Sequence, residues 1–524
     1  MSYSPNSEPI GRIVGKTLTN EFLFVSKKEE HPPKYEYVSI KSKEKVRDEI
    51  REVEVLAQVT EISSLSEVYS ESYDMEHLER IHEAGIEDAN VVCLARTLGY
   101  IDGNEILVPR RAIYPGNEVY LASDSLVEKF FSFPEEEGLK IGYLISRPRI
   151  PVNISVKGFR RHLAIIAQTG AGKSYAAGVL IEELLDKGAT VIVLDPHGDY
   201  VFLGTSKDGS RYSKWDRIKV FRNPNSMGRY DQSMVGNLSE YVVKFSELST
   251  EEICRICGIQ ERWTKIINAI ETSMAEINKE KSDYTLDDLM EKLRERGDEN
   301  SLNALRYLKR MEKLRVFGDY TTSIEELLKP MHVSVVDLSG LNDATMDFIA
   351  YKVLEGVYSK LLNGEFDYPV FVFVEEAHKL VPSKKSTMSS EIINTIATEG
   401  RKFGMFLVLI TQRPSRINSE SLSQCNSQII LRITNPVDQN AVRMASERMS
   451  EELLRDLPGL NVGEAIIVGE VTKVPVMVKI RERRTMEGGA DIDIVSKLRD
   501  ARDEVRQERG HEEFIRPSKM FSEV

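Results

Sequence analysis

Residues 167–174, A-Q-T-G-A-G-K-S, have the spacing of a loop built to hold phosphate. They follow an apolar run at 163–167, L-A-I-I-A, and precede a helical pattern from Tyr175 to Leu185. Glycines at 170 and 172 let the backbone curl, so that N–H groups along Ala167, Gln168, Thr169, Gly170, Ala171 and Gly172 meet phosphate oxygens, and the helix start adds its dipole. Lys173 supplies a point charge for the β- and γ-phosphates of ATP, and Ser174 a hydroxyl for Mg2+. The first position of such loops is usually glycine. Here Ala167 closes the strand, where ordinary backbone angles admit a small side chain.

A second run, V-F-V-F-V-E-E-A-H at 370–378, ends a strand in two carboxylates. Parallel sheets bind ligands beyond the carboxyl ends of their strands, which brings Glu375 and Glu376 towards the phosphate loop. Consecutive strand residues point to opposite faces, so the two need not share a role. Glu375 is expected in the Mg2+-bound water shell and Glu376 as the group that polarises the attacking water. The segment from Thr387 to Lys402 has helical spacing and runs back about 24 Å along the sheet. Arg401 therefore finishes at the edge opposite its own site, and acts on nucleotide only if a neighbouring copy presents it. The next run, 405–411, returns to the catalytic edge with Gln412, placed to sense the γ-phosphate or the water. Asp195 ends another apolar strand in D-P-H-G-D-Y, where a carboxylate serves either a metal-bound water or a turn.

These residues need an α/β scaffold. Apolar runs at 163–167, 190–195, 332–338, 370–374, 405–411, 429–433 and 464–468 alternate with helical segments, the pattern of a parallel-rich sheet covered on both faces and of a RecA-like P-loop core. That core is expected at 151–244 and 331–480, interrupted at 245–330 by a charged helical insertion with apolar residues such as Leu286, Leu289, Leu293, Leu302, Leu305 and Leu308 at helical spacing. Residues 1–150 hold short alternating strands at 10–15, 21–25, 35–40, 53–59, 105–109 and 114–122, which suggest a small closed β-barrel, with a helical excursion at 66–90. The tail, 481–524, reads as a solvated C-terminal arm. No run is long enough to cross a bilayer and the first residues are polar, so the expected compartment is the cytoplasm. Four cysteines cannot make a disulfide framework, and Cys254 and Cys257 lack further zinc ligands, so both are expected in the core. A net charge of −13 argues against a surface that binds nucleic acid everywhere, but leaves room for a locally positive channel.

Taken in order, I-G-R-I-V-G, Y-P-G-N-E-V, R-H-L-A-I-I-A-Q-T-G-A-G-K-S (161–174), D-P-H-G-D-Y, V-E-E-A-H, E-G-R-K-F-G (399–404) and T-Q-R-P-S (411–415) resemble the HerA family of archaeal and bacterial hexameric DNA translocases, relatives of FtsK. The resemblance implies a homohexameric ring around double-stranded DNA, a barrel that helps assembly, and work with a NurA-like nuclease in resecting DNA ends for recombination. It supports Arg401 as an arginine supplied in trans, Gln412 as the sensor and Asp195 as part of the site, and adds Arg161 as a residue that touches nucleotide. Asp199 stands where the family usually has glutamate and is given no role. Lys384, Lys385 and Arg416 are candidates to face a DNA channel. A competing expectation is an ATP-gated clamp that recruits a nuclease without translocating. A conjugative pump would carry a membrane anchor, and a regulatory GTPase would carry N-K-x-D or T-K-x-D, which does not occur.

Overall fold

The computed structural model describes residues 8–46, 49–66, 68–69, 72–85, 90–103, 105–446, 448–489 and 494–514. The end of the expected arm, 515–524, lies outside them. Strands β1 (Gly11–Val14), β2 (Glu21–Ser26), β3 (Tyr37–Val46), β4 (Glu49–Leu65), β5 (Asn90–Asp102), β6 (Glu105–Leu107) and β7 (Glu118–Leu121) form the N-terminal sheet in the order β2-β1-β7-β3-β4-β5-β6. A further β2–β5 pairing closes six of them into a barrel, which removes exposed sheet edges. Inward residues such as Phe22, Phe24, Val38, Ile40 and Val55 fill it. Among its described residues the expected excursion contains one short helix, Met75–Glu83, capped by Asp74.

The second sheet has twelve strands: β8 (Gly138–Leu144), β9 (Pro151–Ser155), β10 (Leu163–Ile166), β11 (Thr190–Asp195), β12 (Ile218–Arg222), β13 (Leu238–Glu240), β14 (Val333–Asp337), β15 (Val370–Val374), β16 (Met405–Thr411), β17 (Ser427–Ile430), β18 (Glu464–Val468) and β19 (Val476–Ile480). Their order is β13-β12-β14-β11-β15-β16-β10-β17-β18-β19-β8-β9. From β13 to β17 all neighbours are parallel, and from β17 to β9 all are antiparallel. The central parallel strands β11, β14 and β15 are buried on both faces, which is why they read as apolar runs.

Two expected boundaries move. The barrel stops near residue 121 instead of 150, because β8 pairs with β19 through Leu144 against Val478 and Gly142 against Ile480. A Cβ at Gly142 would meet the Lys479 carbonyl, so only glycine allows this approach. The helix Asp124–Phe131 buries Val127, Phe130 and Phe131 in the same core as β8. The C-terminal arm is also not solvated at its start. Residues 481–489 form a strap across the helix Lys173–Asp186: Arg481 Nη2 lies 2.7 Å from Glu183, Arg484 Nη2 lies 2.7 Å from Asp186, and the Thr485 N–H donates to buried Glu182 at 2.8 Å. Arg483 is fully buried in the space that Gly178 leaves open. The helix Ile494–Phe514 follows the strap, with residues 494–504 exposed.

The insertion is helical as expected, with helices Thr250–Cys257, Thr264–Glu280, Leu286–Arg296 and Glu299–Leu308 packed onto one face of the sheet. Leu302 is exposed while Leu305 and Leu308 are buried. Cys254 and Cys257 are buried free thiols. Among the described residues no helix is long and apolar enough to cross a membrane.

Candidate active site

The loop after β10 is held by its neighbours on both sides. The Ala167 N–H donates to Thr411 O at 3.2 Å, the Gln168 N–H to Arg432 O at 2.9 Å, and the Gly463 N–H to Ala171 O at 3.1 Å. Gly170 (φ 75°) and Gly172 (φ 98°) adopt left-handed backbone that L side chains rarely take. The helix begins at Lys173, and its first-turn N–H groups have no intrahelical acceptor. The sequence therefore builds an anion cradle where three strand ends meet.

Both glutamates converge on Lys173, contrary to the expected opposite-face arrangement. The strand ends at Val374, and Glu376 adopts a left-handed conformation (φ 48°, ψ 45°) that turns its side chain back. For a non-glycine residue such a conformation costs of order 1–3 kcal/mol, which the surrounding contacts offset. Lys173 Nζ bonds Glu375 Oε1 and lies 3.0 Å from Glu376 Oε1. The two carboxylates then differ in their second partners. Tyr200 OH donates to Glu375 Oε2 at 2.6 Å. Gln412 Nε2 donates to Glu376 Oε1 at 3.0 Å, and His378 Nδ1 lies 3.0 Å from Glu376 Oε2. The Gln412 carbonyl oxygen accepts from Thr169 of the loop. A continuous chain of contacts thus runs from the phosphate loop through Gln412 to Glu376.

Electrostatics separate the pair further. Burial opposes the charge on Lys173, but Glu375 and Glu376 outweigh it and hold the ammonium above its usual range. Burial pushes Glu375 up, with Lys173 only partly opposing it. Burial also works against the charge on Glu376, yet His378 and Lys173 prevail and hold it down at about 2. The two carboxylates are thus shifted in opposite directions, and the lowered one, Glu376, is ionised across the neutral range, as a water-polarising group must be.

Two residues depart from the sequence reading. Asp195 is fully buried, and its oxygens accept the N–H groups of His197, Gly198, Asp199 and Tyr200 at 2.8–3.3 Å. It ties the 197–200 turn, the second of the two roles that its position allowed. That turn delivers Asp199, given no role from sequence, whose Oδ2 accepts the Ser174 hydroxyl at 2.6 Å. The carboxylate beside Ser174 is therefore Asp199, while Glu375 is engaged by Lys173 and Tyr200. His378, too, was quoted in its motif without a role. For Asp199 the available signal was its place four residues beyond a strand-ending aspartate.

At the opposite end of the sheet, Arg161 precedes β10 and Arg401 lies in the short turn Gly400–Phe403 before β16. Both are exposed, and Arg161 reaches no nearer than 3.5 Å to Glu470. Neither meets the phosphate loop of its own chain. Lys384, Lys385 and Arg416 are exposed on two segments joined by the Pro382–Ile417 bridge and the Ser383 N–H to Arg416 O bond at 2.8 Å.

The strand that carries the paired glutamates, β15, is separated from the phosphate-loop strand, β10, by β16 alone, which delivers Gln412 between them. This sheet order and this site define a P-loop ATPase of the RecA-like class. A family model described as "Helicase HerA, central domain" matches residues 139–357. A probable helicase of Methanocaldococcus jannaschii is 30% identical over 94% of this chain and 94% of its own length, and the DNA double-strand break repair helicase HerA of Pyrococcus furiosus is 32% identical over 79% and 81%. The chain belongs to the HerA family. Among solved structures, VirB4 of Thermoanaerobacter pseudethanolicus is similar over 67% of this chain and 98% of its own, at 16% identity and a TM-score of 0.49.

Proposed function

We propose that this chain is an ATP-driven translocase that assembles as a homohexameric ring on double-stranded DNA and serves double-strand break repair with a NurA-like nuclease. The relatives named for DNA double-strand break repair support the DNA substrate and the pathway. The observation that carries the mechanism is the division of the site between two ends of one sheet. Lys173, Ser174, Glu376 and Gln412 gather at the carboxyl ends of the strands, while the exposed Arg161 and Arg401 lie at the amino ends. Copies stacked edge to edge would bring Arg161 and Arg401 of one copy to the nucleotide site of the next. An arginine supplied from a neighbour lowers the barrier by about 4–7 kcal/mol, so hydrolysis becomes a property of the assembly.

Magnesium fits the donors. Among the described residues no three His, Cys, Asp or Glu side chains gather to bind a metal alone. Mg2+ bound to nucleotide needs fewer, because phosphate oxygens and water fill most of its shell. Ser174 would hold the ion through its hydroxyl, which Asp199 orients, and Glu375 would engage water bound to it. When bound, Mg2+ neutralises charge on the β- and γ-phosphates. Lys173 exchanges its carboxylate partners for phosphate, and Glu376, still held by Gln412 and His378, takes the water proton. Gln412 bridges Thr169 and Glu376, which makes it a reporter of what the loop holds.

Lys384, Lys385 and Arg416 supply positive charge at the catalytic edge despite the acidic whole, and the barrel supports ring assembly. ATP hydrolysis measured with and without duplex DNA over a salt series, together with displacement of a DNA-bound roadblock, tests this function. Stimulation and displacement, with binding that weakens steeply as salt rises, are expected. DNA binding with neither stimulation nor displacement would replace the motor by an ATP-gated clamp.

A further inference from the structure

His162 stands between the two arginines and has no part in the chemistry described above. It follows Arg161 directly and is 1% exposed. Its backbone (φ 53°, ψ 166°) lies in a region that glycine alone adopts without cost. Both ring nitrogens are engaged. The Leu407 N–H donates to Nδ1 at 2.9 Å, which fixes the proton on Nε2, and Nε2 donates to Ala397 O at 3.0 Å. Ala397 lies in the last turn of the helix Met388–Glu399, whose continuation is Gly400–Phe403 with Arg401, and Leu407 lies on β16 just past that turn. One imidazole therefore ties the Arg161 segment to chain on either side of Arg401.

Strain at a buried, doubly bonded residue persists only where the surroundings hold it in place. Glycine would remove the strain but also both ring contacts. Burial pushes the imidazole down to about 4, with Arg401 close enough to oppose its protonation, so the neutral latch holds across the neutral range.

We propose that His162 is a positioning residue that fixes Arg161 and Arg401 relative to each other, so that both enter the neighbouring copy's nucleotide site together. This rests on the reading that a neighbour completes each site. The latch makes the two arginines one rigid unit, and a displacement of about 1 Å at such a group costs on the order of a hundredfold in rate.

The test uses the full chain and Mg2+-ATP. His162→Gly is expected to form rings and to bind nucleotide with unchanged affinity, while kcat falls ten- to a hundredfold. His162→Asn, whose short amide keeps at most one of the two bonds, is expected to fall less. Each variant is then co-assembled with Lys173→Ala, which has a dead loop but intact arginines. Activity should return, because the His162→Gly copy has a working loop and its Lys173→Ala neighbour supplies a correctly held pair. Arg401→Ala co-assembled with Lys173→Ala is the control. If the control regains activity and the His162 variants do not, His162 acts within its own copy and the inference fails. If the control regains nothing, the neighbour-completed site fails and takes the inference with it. Failure of both His162 variants to form rings makes the residue a folding element and also overturns the proposal.

Discussion

Replacing Glu376 by Gln should strengthen nucleotide binding while nearly abolishing hydrolysis. Without nucleotide, Lys173 is held by two carboxylates, and phosphate must displace them. Glu376 is held at about 2 against an ordinary 4.5, which stabilises its charged form by about 3 kcal/mol at roughly 1.4 kcal/mol per pH unit. That figure is already net of burial and is shared between His378 and Lys173, so taking about a third of it for Lys173 gives on the order of 1 kcal/mol. Glutamine has nearly the same shape and keeps the left-handed backbone no worse than glutamate, but it releases that share, which corresponds to roughly fivefold tighter binding. Loss of the general base lowers kcat by about 10²–10⁴. Titration with a fluorescent ATP analogue and steady-state phosphate release measure the two effects on one preparation. Weaker binding, or a rate above a tenth of the parent's, would refute the view that Glu376 both restrains Lys173 and polarises the water.

Further outcomes follow from the same contacts. Asp199→Asn keeps the turn but weakens the grip on the Ser174 hydroxyl, and should raise the Mg2+ concentration for half-maximal ATPase by about tenfold, read from a magnesium titration. His162 lies at about 4, below the ordinary 6.5, so its contribution to stability is complete above about pH 6.5 and lost as pH falls towards 4; the parent should lose about 3 kcal/mol over that window that His162→Gly keeps, seen as a flatter Tm against pH. Gly178→Ala places a Cβ 2.6 Å from the Arg483 guanidinium, and overpacking there should destabilise the chain by about 1–3 kcal/mol in urea unfolding.

The central strands of the core were legible where they are buried on both faces and so read as apolar runs. The runs at 190–195, 370–374, 405–411 and 464–468 match β11, β15, β16 and β18 residue for residue. Strands β12 and β13 were missed: I-K-V-F-R carries two basic residues and L-S-E is three residues long, too little for any period to show. The long β5 escaped for a different reason, since it directly follows the charged excursion and its apolar positions are broken by Arg96, Thr97 and Gly99. Assignment of β8 to the barrel failed because its partner, β19, lies more than three hundred residues away, and alternation does not reveal which sheet a strand joins. In the site, the phosphate loop and both glutamates were found by type and position. The shared grip on Lys173 was not, because it depends on one left-handed residue, Glu376. Asp199 was hidden because its role comes from the turn that Asp195 ties, a tertiary arrangement that spacing alone does not specify.

The strap at 481–489 has a consequence for how the protein is made. Arg483 reaches the helix that starts at the phosphate loop from 308 residues further along the chain, as its N–H bond to Tyr175 records, and the Gly488 N–H then donates to Asp199 O at 3.0 Å. At about 5–20 residues per second a ribosome needs roughly 15–60 s to pass from one to the other. During that interval Glu375, Glu376, Gln412 and lastly the strap are still being added to a polypeptide that already carries the phosphate loop, so a finished nucleotide site first exists once residue 489 has emerged.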